Sequence, residues 1–234
     1  MSPIELPDRH VLRRLIEERL RDTHPPVDGM NALPAGLTGA FDPQLREHFP
    51  IAPAAAAVLV PIVDHQKGLT VLLTRRSANM RTHAGQISFP GGRIEVSDGG
   101  PLEAALRETE EEIGLGREHV TFAGYLEPHL VLTGFWITPV VGFVQPGFKL
   151  KLDSREVEST FEVPLDHILD LTNHQSRQRM IGETAVEVYD IPFGEHNIWG
   201  ATAGILIALY RLLSQPQSAD ELSAERTRPE HSRP

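Results

Sequence analysis

Cysteine is absent from this sequence. Its absence excludes disulfide bonds, a thiolate nucleophile and zinc sites built on cysteine, and it agrees with a reducing compartment. A secretory signal is not expected either, because the first residues lack a basic segment followed by an apolar one. The sequence therefore predicts a cytoplasmic protein.

Long apolar runs and excess positive charge are also missing. The uncharged run from Ile198 to Tyr210 is shorter than the ~20 residues of a usual membrane span, so we interpret it as part of a buried helix. The chain has 22 Lys and Arg against 32 Asp and Glu, a net charge of −10. This balance argues against general nucleic-acid binding, so local arginines and a metal would have to attract an anionic ligand.

Hydrophobic periodicity predicts a mixture of helices and strands, and therefore an α/β fold. We expect strands over residues 54–63, 69–74, 120–126, 136–144 and 186–189. We expect helices over residues 6–21, 165–171 and 198–213. A further helix carries most of the functional information.

An acidic helix is predicted to begin at Pro101 and to stop at Gly114, because proline suits a first helical position and glycine a left-handed C-terminal one. On a helical wheel with Glu108 at zero, Glu112 falls at about 40° and Glu111 at about 300°. These three carboxylates share one face, where each like-charge neighbour costs about 0.2–0.5 kcal/mol. A hard divalent cation would relieve this repulsion, since it prefers oxygen ligands.

The opposite side of this helix is predicted to face the core. A stripe between about 100° and 160° on the wheel contains Leu102, Leu106, Thr109 and Ile113. Ala104 and Ala105 fall near the carboxylate face instead, and no basic residue of the helix falls among the three glutamates. A solvated acidic face is the other interpretation, and the helix alone does not decide between the two.

The segment from Gly92 to Leu115 resembles the Nudix box, G-x5-E-x7-R-E-U-x-E-E-x-G-U, where U is aliphatic. Its second half matches as it stands, except that Thr109 takes an aliphatic place. In its first half Asp98 takes the glutamate place, and eight residues rather than seven separate it from Arg107. The role of Asp98 is therefore left open.

A second motif precedes the first in register. The residues from Leu72 to Ser77, then Arg81, Gly85 and Phe89 to Gly92, fit L-L-T-x-R-S-x3-R-x3-G-x3-F-P-G-G. That pattern marks the coenzyme A pyrophosphatases of the Nudix superfamily. This chain therefore resembles the coenzyme A pyrophosphatases.

The resemblance implies a Nudix fold, an α/β/α sandwich with a mixed sheet. We expect residues 51–213 to form the Nudix hydrolase domain. Residues 1–50 are expected to form a helix and a Pro- and Gly-rich extension packed on it, and residues 214–234 a disordered tail.

The resemblance assigns metal binding to Glu108, Glu111 and Glu112, with the Gly92 carbonyl as a further ligand of Mg²⁺ or Mn²⁺. It gives Arg107 an orienting role in catalysis, through a pair with a carboxylate of the site. A surface pair of Arg107 with Glu103 or Glu111 is the alternative.

The expected catalytic residues are Arg107, Glu111 and a general base. Glu156 is our first candidate for the base and Glu158 the second, because they precede Val163-Pro164-Leu165 with spacing similar to that of the family. Either of them can instead be an ordinary surface carboxylate.

Substrate recognition is expected to involve Arg76, Arg81, Gly85 and Phe89, which occupy fixed places of the second motif. Arginine forks suit the phosphates of coenzyme A. The alternative is structural, with the two arginines bracing their loop against the glutamates of the acidic helix. Phe89 is better explained by packing than by stacking on adenine.

The function expected from the resemblance is metal-dependent cleavage of coenzyme A, and of acyl-CoA, to 4′-phosphopantetheine and 3′,5′-ADP. Two alternatives stay open: hydrolysis of another nucleoside diphosphate derivative, and a Nudix-like module that binds a nucleotide without cleaving it. The expected partner is a small molecule, without nucleic acid or membrane. The oligomeric state is left open, with a homodimer as one option.

Overall fold

The computed structural model describes residues 8–25, 52–80 and 82–215. Its α-helices are α1 (Arg9–Leu20), α2 (Pro101–Ile113), α3 (Leu165–Leu169) and α4 (Gly200–Ser214). The strands are β1 (Ala54–His65), β2 (Gly68–Arg76), β3 (Ile87–Ser88), β4 (Gly91–Arg93), β5 (Val120–Tyr125), β6 (His129–Val131), β7 (Phe135–Val144), β8 (Val157–Pro164), β9 (Gln175–Ile181), β10 (Thr184–Phe193) and β11 (His196–Trp199). Residues 1–7 and 26–50 of the expected N-terminal part and residues 216–234 of the expected tail lie outside the described residues, as does Arg81.

Strand β1 lies at the centre of the main sheet. It pairs with β2 and β4 antiparallel and with β7 parallel. Strands β3 and β8 pair with β2, while β5 and β6 pair with β7, all antiparallel. The sheet is therefore mixed, and β9, β10 and β11 form a second, antiparallel sheet.

Helices cover both faces of the main sheet. Because side chains alternate along a strand, Val60 and Ile62 of β1 enter one core cluster while Leu59 and Val63 enter the other. The first cluster includes buried residues of α1, α3 and α4, and the second includes those of α2. This arrangement is the predicted α/β/α sandwich. No helix in the described part of the chain is both long and apolar enough to cross a membrane.

Helix α1 is attached to the sheet by apolar and ionic contacts. Its apolar face, with Leu12, Ile16 and Leu20, is buried in the first core cluster. Beside this face, Arg9 and Arg13 form ion pairs with Asp64 of β1 at 2.6 and 2.7 Å. The N-terminal helix therefore packs on the core.

Most predicted elements appear within a few residues of their expected bounds. One assignment is wrong: Ile198 and Trp199 belong to β11 and not to the closing helix. The helix begins only at Gly200, whose φ of 65° breaks the extended backbone of the strand. Strands β3, β4, β6, β8 and β9 were not predicted from the sequence.

The buried side of α2 differs from the predicted stripe. Its buried residues are Ala104, Ala105, Thr109, Glu112 and Ile113. Leu102 and Leu106 are only partly buried. The buried arc is displaced toward the glutamates because the two alanines permit close packing on β1, which itself begins with four alanines. The buried Thr109 hydroxyl donates to the Ala105 carbonyl at 2.6 Å, which satisfies it within the helix.

Candidate active site

Two glycines of β4 allow this strand to pass directly under the carboxylates of α2. A Cβ atom at Gly92 would lie 2.5 Å from Cδ of Glu108, and one at Gly91 would lie 2.4 Å from the Ala57 carbonyl oxygen. The Gly91 N–H donates to Oε2 of Glu112 at 3.1 Å. Glycine at position 92 therefore leaves room for the Glu108 carboxylate, whereas glycine at position 91 allows β4 to approach the backbone of β1.

Glu112 is the most buried carboxylate of the helix, with 4% of its side chain exposed. Burial raises its pKa to about 7. The Gly91 N–H and Arg76 oppose this rise in pKa, whereas the charges of Glu156 and Glu108 add to it. A guanidinium nitrogen of Arg76 lies 3.7 Å from Oε1 of Glu112.

Glu108 lies beside Glu112 and is less buried, with 19% of its side chain exposed. Burial raises its pKa, Arg107 lowers it, and the charges of Glu111 and Glu156 raise it further. Glu111 is 61% exposed. The three predicted metal ligands thus lie on one face of α2 but differ steeply in exposure.

Arg107 holds the outer part of this face together. It binds both oxygens of Asp98 at 3.0 Å, Glu108 at 3.0 Å and Glu111 at 3.2 Å. It also donates to the Arg93 carbonyl at 3.1 Å. The hydrogen bond to Asp98 is the main cause that raises the pKa of Arg107.

These contacts change two expectations from the sequence. A basic residue does reach the glutamates, because the long side chain of Arg107 extends to Glu108 and Glu111 from outside their face of the wheel. Asp98 was left without a role, yet its side chain is 5% exposed and the Arg107 hydrogen bonds lower its pKa. The only sequence signal for this pair was the place of Asp98 in the motif.

The segment that carries Glu156 is joined to the end of α2. The Lys151 N–H donates to the Ile113 carbonyl at 2.8 Å, and the Asp153 N–H to the Glu112 carbonyl at 2.9 Å. Glu156 itself is partly buried and acts electrostatically on Glu112. The structure therefore brings this first candidate base to the glutamates of α2.

Glu158, the second candidate, is placed differently. It is exposed, and its ion pair is with Arg75 of β2 at 3.7 Å. The geometry therefore favours Glu156 over Glu158 as the carboxylate that belongs to this site.

The residues predicted to bind substrate fall into different environments. Arg76 contacts Glu112, which is the bracing contact that the structural alternative describes. Gly85 has a φ of 68° and donates its N–H to the Arg76 carbonyl at 3.1 Å, so it shapes the loop that follows β2. Phe89 is 3% exposed within the first core cluster, which supports packing and not contact with a ligand.

The chemistry of the donor set fits a hard cation, since it consists of carboxylate oxygens and a backbone carbonyl. Burial raises the pKa of both Glu108 and Glu112, and the charges of neighbouring carboxylates raise it further, so a cation would relieve that repulsion. In the described residues, however, no three acidic or histidine side chains already surround one common point. Arg107 and Arg76 bind these carboxylates instead.

Comparison with known proteins supplies a family match. The model of the NUDIX domain matches residues 53–183. A Photorhabdus laumondii protein named uncharacterized Nudix hydrolase NudL is 41% identical over 151 residues, which cover 64% of this chain and 80% of that protein. The Escherichia coli K12 protein of the same name is 40% identical over 152 residues, covering 64% and 78%.

Two solved structures show weaker similarity to this chain. The Caenorhabditis elegans Ap4A hydrolase, as a binary complex, is 21% identical with a TM-score of 0.42, covering 47% of this chain and 80% of that one. The NUDIX domain of Shewanella oneidensis NrtR, complexed with ADP ribose, is 20% identical with a TM-score of 0.39, covering 55% and 81%.

Proposed function

Because this chain belongs to the Nudix family, we propose that it is a metal-dependent hydrolase that cleaves the diphosphate of coenzyme A and of acyl-CoA. Nudix hydrolases generally use divalent metal ions. The observation that carries the coenzyme A assignment is the joined pair of motifs from Leu72 to Leu115. The contact of Arg76 with Glu112 supports it, because it places one motif against the other at 3.7 Å.

The proposed metal ligands are Glu108, Glu111, Glu112 and the Gly92 carbonyl, with Mg²⁺ or Mn²⁺ as the ion. When bound, such an ion neutralises charge on the diphosphate and lowers the pKa of a water molecule. Arg107 would hold Glu108 and Glu111 in place, and Asp98 would hold Arg107 by a bidentate pair.

The remaining steps use side chains of this chain. Glu156 would take the proton from the attacking water, whose oxygen forms a bond to one phosphorus of the diphosphate as the bridging P–O bond breaks. Arg76 and Arg81 would bind the phosphate oxygens. The products are 4′-phosphopantetheine and 3′,5′-ADP, with the oxygen of water in one of them.

Product analysis by mass spectrometry tests the substrate. We expect coenzyme A with Mg²⁺ or Mn²⁺ to give both products, and EDTA to abolish them. The panel should include an acyl-CoA, NADH, ADP-ribose and nucleoside triphosphates. In ¹⁸O-labelled water, the product that carries the label identifies the phosphorus that is attacked.

The alternatives predict other results from the same panel. Cleavage of only a non-CoA compound would retain Nudix hydrolysis and reject the coenzyme A assignment. Tight binding without any cleavage at all metal concentrations would instead favour a nucleotide-binding module.

Two sets of variants test the assigned roles. We expect the double substitution Glu111→Gln, Glu112→Gln to reduce turnover by several orders of magnitude while the fold is retained. Glu110→Gln is the matched control, because Glu110 is an exposed carboxylate on the same helix. Full activity of the double variant would reject the proposed metal site.

The base is tested by comparing Glu156→Gln with Glu158→Gln. General-base catalysis typically contributes about 10²–10⁴-fold, so we expect a loss of this size in kcat for Glu156→Gln alone. An equal or larger loss for Glu158→Gln would transfer the role to that residue.

A further inference from the structure

Arg93 occupies a distinctive position beside the site. It directly follows Gly92 in β4, and successive side chains of a strand point to opposite faces. The Gly92 position faces Glu108, so the Arg93 side chain leaves on the other face of β4. There its guanidinium carbon lies 5.3 Å from the ring centroid of Phe135, at the start of β7.

The other described arginines around the site are already paired with carboxylates. Arg75 pairs with Glu158, Arg76 with Glu112, and Arg107 with the cluster around Asp98. Within the described residues Arg93 forms no ion pair, although it is exposed on an acidic chain. Its positive charge is therefore available to an incoming anion.

The contact with Phe135 orients Arg93 without neutralising it. A guanidinium over an aromatic face is held by the ring's negative face, while its N–H edges remain free to donate. The backbone of Arg93 is fixed as well, because its carbonyl accepts from Arg107 and it pairs with Ala56 of β1. Arg93 is thus a preorganised cation on the face of β4 opposite the one that faces Glu108.

We propose that Arg93, supported by Phe135, forms a binding subsite for a phosphate monoester of the substrate, separate from the diphosphate that is cleaved. This inference rests on the proposed function, under which the substrate is coenzyme A and the monoester is its 3′-phosphate. A phosphate monoester carries about −1.5 to −2 charges near pH 7, which matches a bidentate arginine fork. A molecule whose diphosphate lies at Glu108 would reach Arg93 by extending across β4.

The competing explanation is that Arg93 only anchors the loop between β4 and α2. Under that explanation, replacing it would impair all substrates alike. A subsite for the monoester would instead affect only those substrates that carry it, so the ratio between two matched substrates separates the explanations.

The first experiment compares kcat/KM for coenzyme A and for 3′-dephospho-CoA. We expect the wild-type protein to prefer coenzyme A and Arg93→Gln to reduce this preference about ten- to a hundredfold, mainly through KM. Arg93→Lys should retain part of the preference, and Phe135→Leu should weaken it. Arg14→Gln is the control, because it removes one exposed charge from α1.

The second experiment measures binding without turnover. In titration calorimetry, we expect adenosine 3′,5′-bisphosphate to bind more tightly than AMP to the wild-type protein, and Arg93→Gln to remove the difference. An equal loss of kcat/KM for coenzyme A and 3′-dephospho-CoA in Arg93→Gln, or an unchanged preference between them, would overturn the subsite.

The two proposals fail in different ways. If the wild-type protein cleaves coenzyme A and Arg93→Gln leaves the preference intact, only the subsite is rejected. If it cleaves no CoA compound yet binds the bisphosphate in an Arg93-dependent manner, the coenzyme A function is rejected and the subsite is retained. If neither result depends on Arg93, the subsite is overturned whatever the substrate.

Discussion

At the scale of single residues, Glu112 is a buried carboxyl whose ionised form is favoured by Arg76 and by the Gly91 N–H but disfavoured by its burial. Burial raises its pKa to about 7, so in the absence of a cation it is substantially protonated near neutral pH. Arg76 is the only basic side chain in the described residues that forms an ion pair with it. A cation bound at this position would therefore have to displace a proton.

The raised pKa of Glu112 has a consequence for stability. A folded-state pKa of about 7, against 4.5 for the ordinary carboxyl, contributes stability below pH 4.5 that is lost as the pH rises through 7. The variant Glu112→Gln loses no such stability over this pH range, because the glutamine side chain does not ionise. In EDTA, we expect the stability of Glu112→Gln relative to wild type to increase by on the order of 3 kcal/mol between pH 4.5 and 7.5.

Urea denaturation at several pH values measures this difference. His129 works in the opposite sense, since burial lowers its pKa to about 4 and acidification from pH 6.5 destabilises the fold. The two effects partly cancel in the wild-type protein, so the difference between variant and wild type is the informative quantity. A difference that does not change with pH would show that Glu112 ionises normally.

The sequence could identify the chemistry of individual residues but not their environments. Three glutamates on one face of a helix indicate either a cation site or a solvated acidic face, and the resemblance to the Nudix box favours the cation site. The pairing of Asp98 with Arg107 depends on how the loop between β4 and α2 folds back, which spacing does not specify. The same is true of the exposure of the glutamates, which ranges from 4% for Glu112 to 61% for Glu111.

At the scale of elements, the orientation of α2 explains why the exposure of the three glutamates differs so widely. The buried residues span an arc on the helical wheel from about 320° through zero to about 140°, which includes Glu112 at about 40°. Glu111, at about 300°, lies outside this arc and remains exposed. The sequence prediction, which was based on apolar residues, put the buried face on the side of the leucines. In the structure, the small alanines determine where the helix can approach β1.

The close contact between β4 and α2 gives a prediction for Gly92→Ala. The added methyl group would lie 2.5 Å from Cδ of Glu108, so the carboxylate must move. We expect activity and metal affinity to fall at least about tenfold, while stability falls by only about 1 kcal/mol because the end of a glutamate side chain can rotate.

Gly99→Ala is the control within the same loop. Its methyl group would meet Glu103 Cδ at 3.5 Å, which is ordinary van der Waals contact. Activity assays and metal titrations on both variants check the prediction. Equal activity of the two variants would mean that the position of Glu108 is not critical.

Among the strands that were not predicted, β9 and β11 were missed for identifiable reasons. All but the last residue of β9 are exposed, so Gln175 to Met180 show no alternation of apolar and polar side chains. In β11, Ile198 and Trp199 run directly into the apolar sequence of α4, and only the backbone of Gly200 separates strand from helix. The long, mostly buried strands β1 and β7 were predictable because apolar residues fill both of their faces.

At the scale of the whole molecule, two of the three helices that cover one face of the main sheet lie outside the family match. The NUDIX model covers residues 53–183, whereas α1 and α4 lie before and after that range. Both helices contribute buried residues to the first core cluster. We infer that the described terminal helices and the central sheet fold as one cooperative unit.

Ile16→Ala tests this inference. Ile16 is 0% exposed in the first core cluster, and truncating a buried isoleucine to alanine costs about 2–5 kcal/mol. We expect a single unfolding transition whose stability is reduced by that amount. Val11→Ala is the control on the same helix, because Val11 is 43% exposed and should change stability by no more than about 0.5 kcal/mol. A separate early transition in Ile16→Ala would show that α1 unfolds independently.

The hydrogen bonds from Lys151 and Asp153 to the last carbonyls of α2 also determine how this part of the protein fluctuates. An amide hydrogen exchanges with solvent deuterium only when its hydrogen bond opens. These two amides belong to a segment without regular secondary structure, yet they can open only when the segment separates from the helix end. Their exchange should therefore be as slow as that of the last turn of α2. The segment that leads to Glu156 would then move with the glutamates of that helix as one body.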